Sequence, residues 1–377
     1  LLNEAHKRGI RIVLDGVFNH SSRGFFQFNH VLEVGSKSPY LDWFFIHNFP
    51  LHAYEGTPNY ACWWSLPGLP KLNTNNPQVR KFIFNVARYW LEEGIDGWRL
   101  DVPFEIDDDD FWREFREVVK SANPDAYIVG EIPSEAQRWM RGDMFDAVMN
   151  YQLTHACLAF FGGSRTNKAL AEGMMGLTAP EAMDAAQFAK RTQELLEIYP
   201  KEFAYAQLNL LDSHDMPRFL SLVNEDTQRL YLAYLFIMTY PGAPCIYYGD
   251  EIGLTGGADP MCRKSFPWDE STWNNNLRSK LRELTLLRHA MPVLRTGAYL
   301  PLLSQDSLLV YARKDDEDAA FVAINLEDSA RTISISVEGM LPDGTLLQDQ
   351  ISTMQVEVKD GQIRDLTIPR MSACILA

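Results

Sequence analysis

Cysteine is scarce in this chain: five residues, Cys62, Cys157, Cys245, Cys262 and Cys374, odd in number and without a CxxC pair. That excludes a disulfide scaffold and the usual zinc and thiol-redox spacings. Isolated thiols of this kind fit a reducing, cytoplasmic compartment. Long apolar runs are missing too. No stretch reaches the roughly 18 residues of a membrane span; the longest, around Leu230 to Met238, is interrupted by tyrosine and reads as a buried helix. Basic residues are outnumbered, 35 Lys and Arg against 50 Asp and Glu, for a net charge of −15. Such a surface suits neither nucleic acid nor anionic membrane and is indifferent to a neutral substrate. Apolar residues are plentiful, 46% of 377, enough for one large domain and a smaller companion.

Leu1 to Gly9 reads as the end of a helix, with Leu2, Ala5 and His6 at helical spacing and Gly9 as its stop, so the chain is expected to begin in mid-element. Ile10 to Leu14 is an apolar run of the kind that forms a fully buried parallel strand. From Ser21 to about Asn76 no period is evident, and a long aromatic loop is expected, with Trp43, Phe44, Phe45, Tyr54, Tyr60, Trp63 and Trp64 as flat faces for apolar rings or as a small local core. Pro77 opens a helix, and Asp107 to Asp110 read as caps of another. Further strands are expected at 95 to 100, 126 to 130, 144 to 149, 206 to 211 and 244 to 248, with a helical region from Tyr151 to Tyr199 and a last helix at Asn274 to Ala290. Alternation of strand and helix means a parallel sheet. After Pro292 the texture changes to short alternating runs, which predict a small antiparallel β domain.

The polar residues gather at strand exits. Arg99 and Asp101 stand two apart, so they share one face of their strand, and the guanidinium would hold the carboxylate ionised and oriented, as a carboxylate nucleophile requires. A buried structural ion pair reads equally well from these two residues alone. Asp15-Gly-Val-Phe-Asn19-His20, Gly130-Glu131-Ile132 and Asp212-Ser213-His214-Asp215 each follow a short apolar run in the same way. Polar clusters at the carboxyl ends of parallel strands are the layout of a barrel active site.

In that order, DGVFNH, GWRLD, GEI and LLDSHD resemble four signature segments of the alpha-amylase superfamily of retaining glycoside hydrolases. Leu69-Pro-Lys-Leu-Asn73 resembles the segment typical of its neopullulanase and cyclomaltodextrinase branch. The resemblance implies a (β/α)8 TIM-type α/β barrel at 1–297, with a loop subdomain at about 21–76 and a C-terminal antiparallel β-sandwich at 298–377. About six barrel strands are countable where a closed barrel needs eight, so an N-terminal truncation lacking the first two is expected. The implied nucleophile is Asp101, the general acid/base Glu131 and the third carboxylate Asp215. Retention needs the first two about 5 to 5.5 Å apart. Glu131 has no cation adjacent in sequence, so a protonated form is expected there. His20, His214, Arg99, Phe104 and Glu105 are implied on the substrate side, Asp15 as a support for Arg99, and Asn19 as a metal position in calcium-dependent relatives. No cofactor is expected to be required, with calcium left open.

The implied substrate is an alpha-glucan oligosaccharide or polysaccharide, with no nucleic acid or membrane partner and a homodimer compatible. Two departures, Pro133 where relatives carry tryptophan and Pro103-Phe104 where the branch has Ala-Asn, bear on acceptor choice. Transglycosylation, trehalose formation, or an inactive carbohydrate-binding protein on the same fold are the rival readings.

Overall fold

Short apolar runs, each closed by a polar strand exit, build the parallel part of the molecule. The computed structural model describes residues 1–173 and 178–377, in two units, Leu1–Ile132 with Ala136–Met149, and Pro133–Glu135 with Asn150–Ala377. In the first unit, β1 (Val13–Gly16), β2 (Gly97–Leu100), β3 (Tyr127–Gly130) and β4 (Ala147–Val148) lie in that order in one parallel sheet. Leu100 pairs with Gly16 on one side and with Gly130 on the other. The three strands therefore end at one level, and Asp101 and Glu131 leave the sheet side by side.

The helices of this unit follow from their caps and stripes. Asn76 accepts from the Gln78 amide at the start of Pro77–Glu92, and Val79, Ile83, Ala87 and Leu91, at intervals of one turn, are buried. Asp108 caps Asp109–Ala122 through the Phe111 amide at 3.0 Å. Its acidic neighbours pair with Arg113 and Arg138 rather than standing free as metal ligands.

Several expectations shift. The first strand is Val13–Gly16, three residues later than the apolar run, and Ile10 and Val13 are exposed. It is the edge strand of its sheet, paired among the described residues with β2 alone. The stretch expected as a structureless loop contains a helix, Phe26–Val34, which buries Phe28 and Val31. It lacks a side-chain cap and carries apolar residues around much of its circumference, so it shows no clean period. Phe28, Phe44 and Tyr60 form a small buried core in this segment and Trp43 is buried against Phe82, while Tyr54 and Trp64 stay exposed.

In the second unit, β5 (Leu208–Asn209) pairs in parallel with β6 (Ala243–Pro244). The described residues thus supply six parallel strands, the number counted from the sequence. Residues 245 to 248 are not strand. After β6 the chain turns at Gly249, whose φ is +93°, into a short helical turn. The helical region expected from 151 to 199 is broken into Tyr151–Cys157, a π-turn at Leu158–Gly162, Lys168–Ala171 and Ala185–Glu197, with residues 174–177 of it outside the described residues. Thr227–Thr239 is buried all round, as the apolar run demanded. No helix among the described residues is long and apolar enough to cross a membrane.

The same unit ends in two four-stranded antiparallel sheets. One contains β7 (Ala298–Gln305), β8 (Leu308–Lys314), β9 (Ala319–Asn325) and β14 (Ser372–Leu376). The other contains β10 (Arg331–Ser336), β11 (Leu346–Gln348), β12 (Gln355–Lys359) and β13 (Gln362–Ile368). Their facing residues, Leu308, Val310 and Phe321 against Ile335, Val358, Ile363 and Leu366, form one core. The opposite face of β8 is buried too. Arg313, fully buried there, donates to the carbonyls of Leu294 and Gly297 at 2.7 Å and of Thr239 at 2.5 Å, and the Tyr311 hydroxyl meets Thr239 Oγ1. Beside it, Arg288 donates to the carbonyls of Met238, Tyr240, Gly242 and Leu294. Two guanidinium groups thus gather on the carbonyl-rich C-terminal end of Thr227–Thr239, where the helix dipole favours cations. Replacing Arg313 by Met leaves several buried carbonyls without donors, at about 1–3 kcal/mol each before relaxation. We expect Arg313→Met to lower the unfolding free energy by about 3 kcal/mol or more, read from urea denaturation.

Candidate active site

The first unit places three carboxylates on one cation. Arg99, on β2, donates through Nη1 to Asp15 at 2.8 Å and to Asp101 at 3.0 Å, and its Nη2 pairs with Glu131 Oε1. Strand register produces this arrangement. Asp15 sits opposite Arg99 on β1, while Asp101 and Glu131 follow the paired residues Leu100 and Gly130. The Asp101 amide bonds Gly16 O at 3.2 Å, and the Glu131 amide bonds Leu100 O at 2.9 Å.

Burial opposes the guanidinium charge, but Glu131, Asp15 and Asp101 outweigh it and raise the Arg99 pKa. The side chains differ in exposure: Asp15 53%, Asp101 20%, Glu131 3%. The expectation that Glu131 lacks a neighbouring cation is wrong, because Arg99 reaches it across the β2–β3 pair. Sequence adjacency could not show a contact that depends on strand pairing. Glu131 Oε2 also accepts from the Val102 amide at 3.3 Å. Val102 has φ +35°, an uncommon conformation for a β-branched residue that aims this N–H back at Glu131.

Around this centre the loop segments are stitched by backbone. His20 bridges Lys71, the Leu72 amide bonds Asn19 O, and the Ser21 amide bonds Pro70 O. Lys71 Nζ donates to Glu105 O at 2.8 Å and lies 3.6 Å from its carboxylate. Lys71 belongs to the LPKLN segment, yet nothing in the sequence paired it with Glu105. Phe104, in the same short turn, is more than one-third exposed.

Asn19 is buried, with Nδ2 3.3 Å from His20 Nδ1 and its Oδ1 unpartnered. Calcium takes six to eight oxygen ligands. Among the described residues, no cluster of three His, Cys, Asp or Glu ligands includes His20, the residue beside Asn19, and the Lys71 ammonium acts on that histidine.

In the second unit, His214 Nε2 is 3.1 Å from Asp215 Oδ2, and Arg263 Nη2 is 2.9 Å from Asp215 Oδ1. Arg263 also donates to His214 O and pairs with Asp259. The sequence reading missed Arg263; the opposite charges at 259 and 263, one helical turn apart, were the available signal. Asp212, in the same motif as Asp215, has a different task. It is fully buried, accepts from the Phe219 amide at 2.6 Å, and has its pKa pushed up by burial and by Asp250. Asp250 is in turn held by Arg218 and by the Tyr234 hydroxyl.

Burial lowers the His20 pKa, outweighing the pull of Asp101 and Glu105 and aided by Lys71. The unfolded chain therefore takes up this proton first as pH falls below the ordinary histidine value of about 6.5. The neutral ring's contribution to stability is complete above that value and is lost as pH falls through the folded pKa. We expect His20→Gln to lose less stability than the parent between about pH 7.5 and pH 5, measured by urea unfolding at both values.

The sequence matches the family model of the alpha-amylase catalytic domain over residues 1–291 and that of the alpha-amylase C-terminal domain over 297–376. A cyclomaltodextrinase of Geobacillus thermopakistaniensis is 44% identical over 90% of this chain and 55% of its own length. Neopullulanase 2 of Thermoactinomyces vulgaris is 40% identical over 100% of the chain and 61% of its own. The chain thus spans less than two thirds of these curated relatives. Among solved structures, Ttha1563 of Thermus thermophilus superposes with a TM-score of 0.95 at 43% identity, covering 100% of this chain and 78% of that one. The Nostoc punctiforme debranching enzyme does so with 0.91 at 42%, covering 100% and 78%. On matched residues and fold together, a TIM-type barrel domain followed by an antiparallel β domain, the chain belongs to the alpha-amylase family.

Proposed function

We propose that this chain hydrolyses α-glucosidic bonds in maltooligosaccharides, cyclodextrins, starch or pullulan, with retention and through a covalent glycosyl-enzyme. The observation that carries the reading is the single Arg99 guanidinium shared by Asp101 and Glu131 at adjacent strand ends. Asp101, more exposed and oriented by Arg99, attacks the anomeric carbon as the glycosidic C–O bond breaks, and Glu131 gives its proton to the leaving oxygen. Water then attacks the same carbon, the ester bond to Asp101 breaks and its carboxylate is returned, and Glu131 takes up the proton that the water gives off.

Glu131, the most buried of the three carboxylates around Arg99, is the general acid on the resemblance of GEI, the role in which a carboxyl group gives its proton to the leaving oxygen. Asp215, on the resemblance of LLDSHD, is the third carboxylate, and His20 and His214 bind sugar hydroxyls. The names of the relatives, cyclomaltodextrinase, neopullulanase and maltogenic alpha-amylase, support the substrate class. A cytoplasmic location is supported by the five free cysteines and by the intracellular maltogenic amylase of Bacillus subtilis among the relatives.

In the full-length protein, Asp101→Asn and Glu131→Gln should each lower kcat on maltoheptaose by about a thousandfold or more, with the fold intact by circular dichroism. The first product formed by the parent should be the α-anomer by NMR. Near-parental turnover in purified Asp101→Asn, or a β-anomer, sinks the mechanism.

A further inference from the structure

The loop tip that follows Cys62 is a rigid hairpin. Cys62 bridges Pro70, the Trp63 amide bonds Leu69 O at 3.0 Å, the Leu69 amide bonds Leu66 O at 3.0 Å, and the Lys71 amide bonds Ala61 O at 2.9 Å. On this hairpin three flat rings are layered. Trp63 stacks on His20 with ring centres 5.1 Å apart, and Trp64 stacks on Trp63 at 4.6 Å, both within 11° of parallel. Trp63 is therefore sandwiched, and the open outer face belongs to Trp64, which is 76% exposed.

Its backbone is strained. Trp64 has φ 48° and ψ 31°, and Ser65 has φ 59°, two successive non-glycine residues in the left-handed region. Such a conformation costs about 1–2 kcal/mol per residue. An indole left this exposed returns little of that cost by burial. Strain that the fold does not recover marks a candidate functional position.

Resting on the proposed α-glucan activity, we infer that the outer face of Trp64 is a stacking platform for a glucosyl unit distant from the bond being cleaved. The stack is rooted at His20, which lies within electrostatic reach of Asp101, so a chain leaving the cleavage point has two ring layers to pass before it meets Trp64. A glucose ring offers an apolar C–H face that matches an indole in size and needs no charge. Short substrates do not extend so far; longer ones do. Trp63, with both faces covered, cannot serve in its place.

The test compares Trp64→Ala and Trp64→Phe with the parent full-length protein on maltotriose and maltoheptaose. The ratio of kcat/KM for maltoheptaose to that for maltotriose should fall about tenfold in Trp64→Ala, through KM, and recover substantially in Trp64→Phe. Calorimetric binding of maltoheptaose to the Asp101→Asn protein should weaken by a similar factor when Trp64→Ala is added. An unchanged ratio together with unchanged binding overturns the platform while leaving the glycosidase reading intact. A parent protein that binds maltoheptaose without cleaving it overturns only that reading, and the binding comparison still judges Trp64. A parent that neither cleaves nor binds maltoheptaose overturns both.

Discussion

The Arg99 guanidinium is the point on which the first unit's chemistry turns. A carboxylate at the end of a strand is ordinarily free to swing. Here Asp15, Asp101 and Glu131 come from three different strands and are fixed by one planar cation whose donors point in set directions. Lysine would keep the charge but not the fork, and could not bridge the β2–β3 pair in the same way. The cation itself depends on the parallel register, because a slip of one residue along β2 would turn Arg99 to the other face of the sheet.

That dependence explains what could be read from the residues and what could not. Arg99 with Asp101 was legible, because alternation along a single strand is a local rule. Glu131 with Arg99 was not, since it requires knowing which strands pair and at what level. Lys71 with Glu105 and Arg263 with Asp215 are loop contacts across 34 and 48 positions, and no periodicity encodes them. The helices with a polar cap and a one-sided stripe, Pro77–Glu92 and Asp109–Ala122, were found where expected. Phe26–Val34, uncapped and apolar around much of its surface, passed as loop. Strand order was placed better than strand bounds, as the shift of both ends from Ile10–Leu14 to Val13–Gly16 illustrates. β6 likewise ends at Pro244, where hydrophobicity alone would have continued it to Tyr248.

The two carboxylate motifs also differ in what surrounds them. Asp101 and Glu131 share the Arg99 cation, and Glu131 also accepts from the Val102 amide. Asp212 and Asp250 are enclosed with Arg218 and Tyr234, where burial favours a retained proton. Residues of one type, three positions apart at 212 and 215, thus serve the packing of their unit and its surface respectively. The difference lies in water access, which neither residue type nor spacing discloses.

The way Arg313 and Arg288 are bound has a consequence for the solution conditions the protein tolerates. Their partners are neutral carbonyl oxygens, and among the described residues neither has a counter-ion for dissolved salt to compete away or an acidic partner to neutralise. The attachment of β8 to the end of Thr227–Thr239 should therefore be indifferent to ionic strength and to acidification. The surface ion pairs elsewhere in the chain, Arg113 and Arg138 with their aspartates among them, share neither immunity.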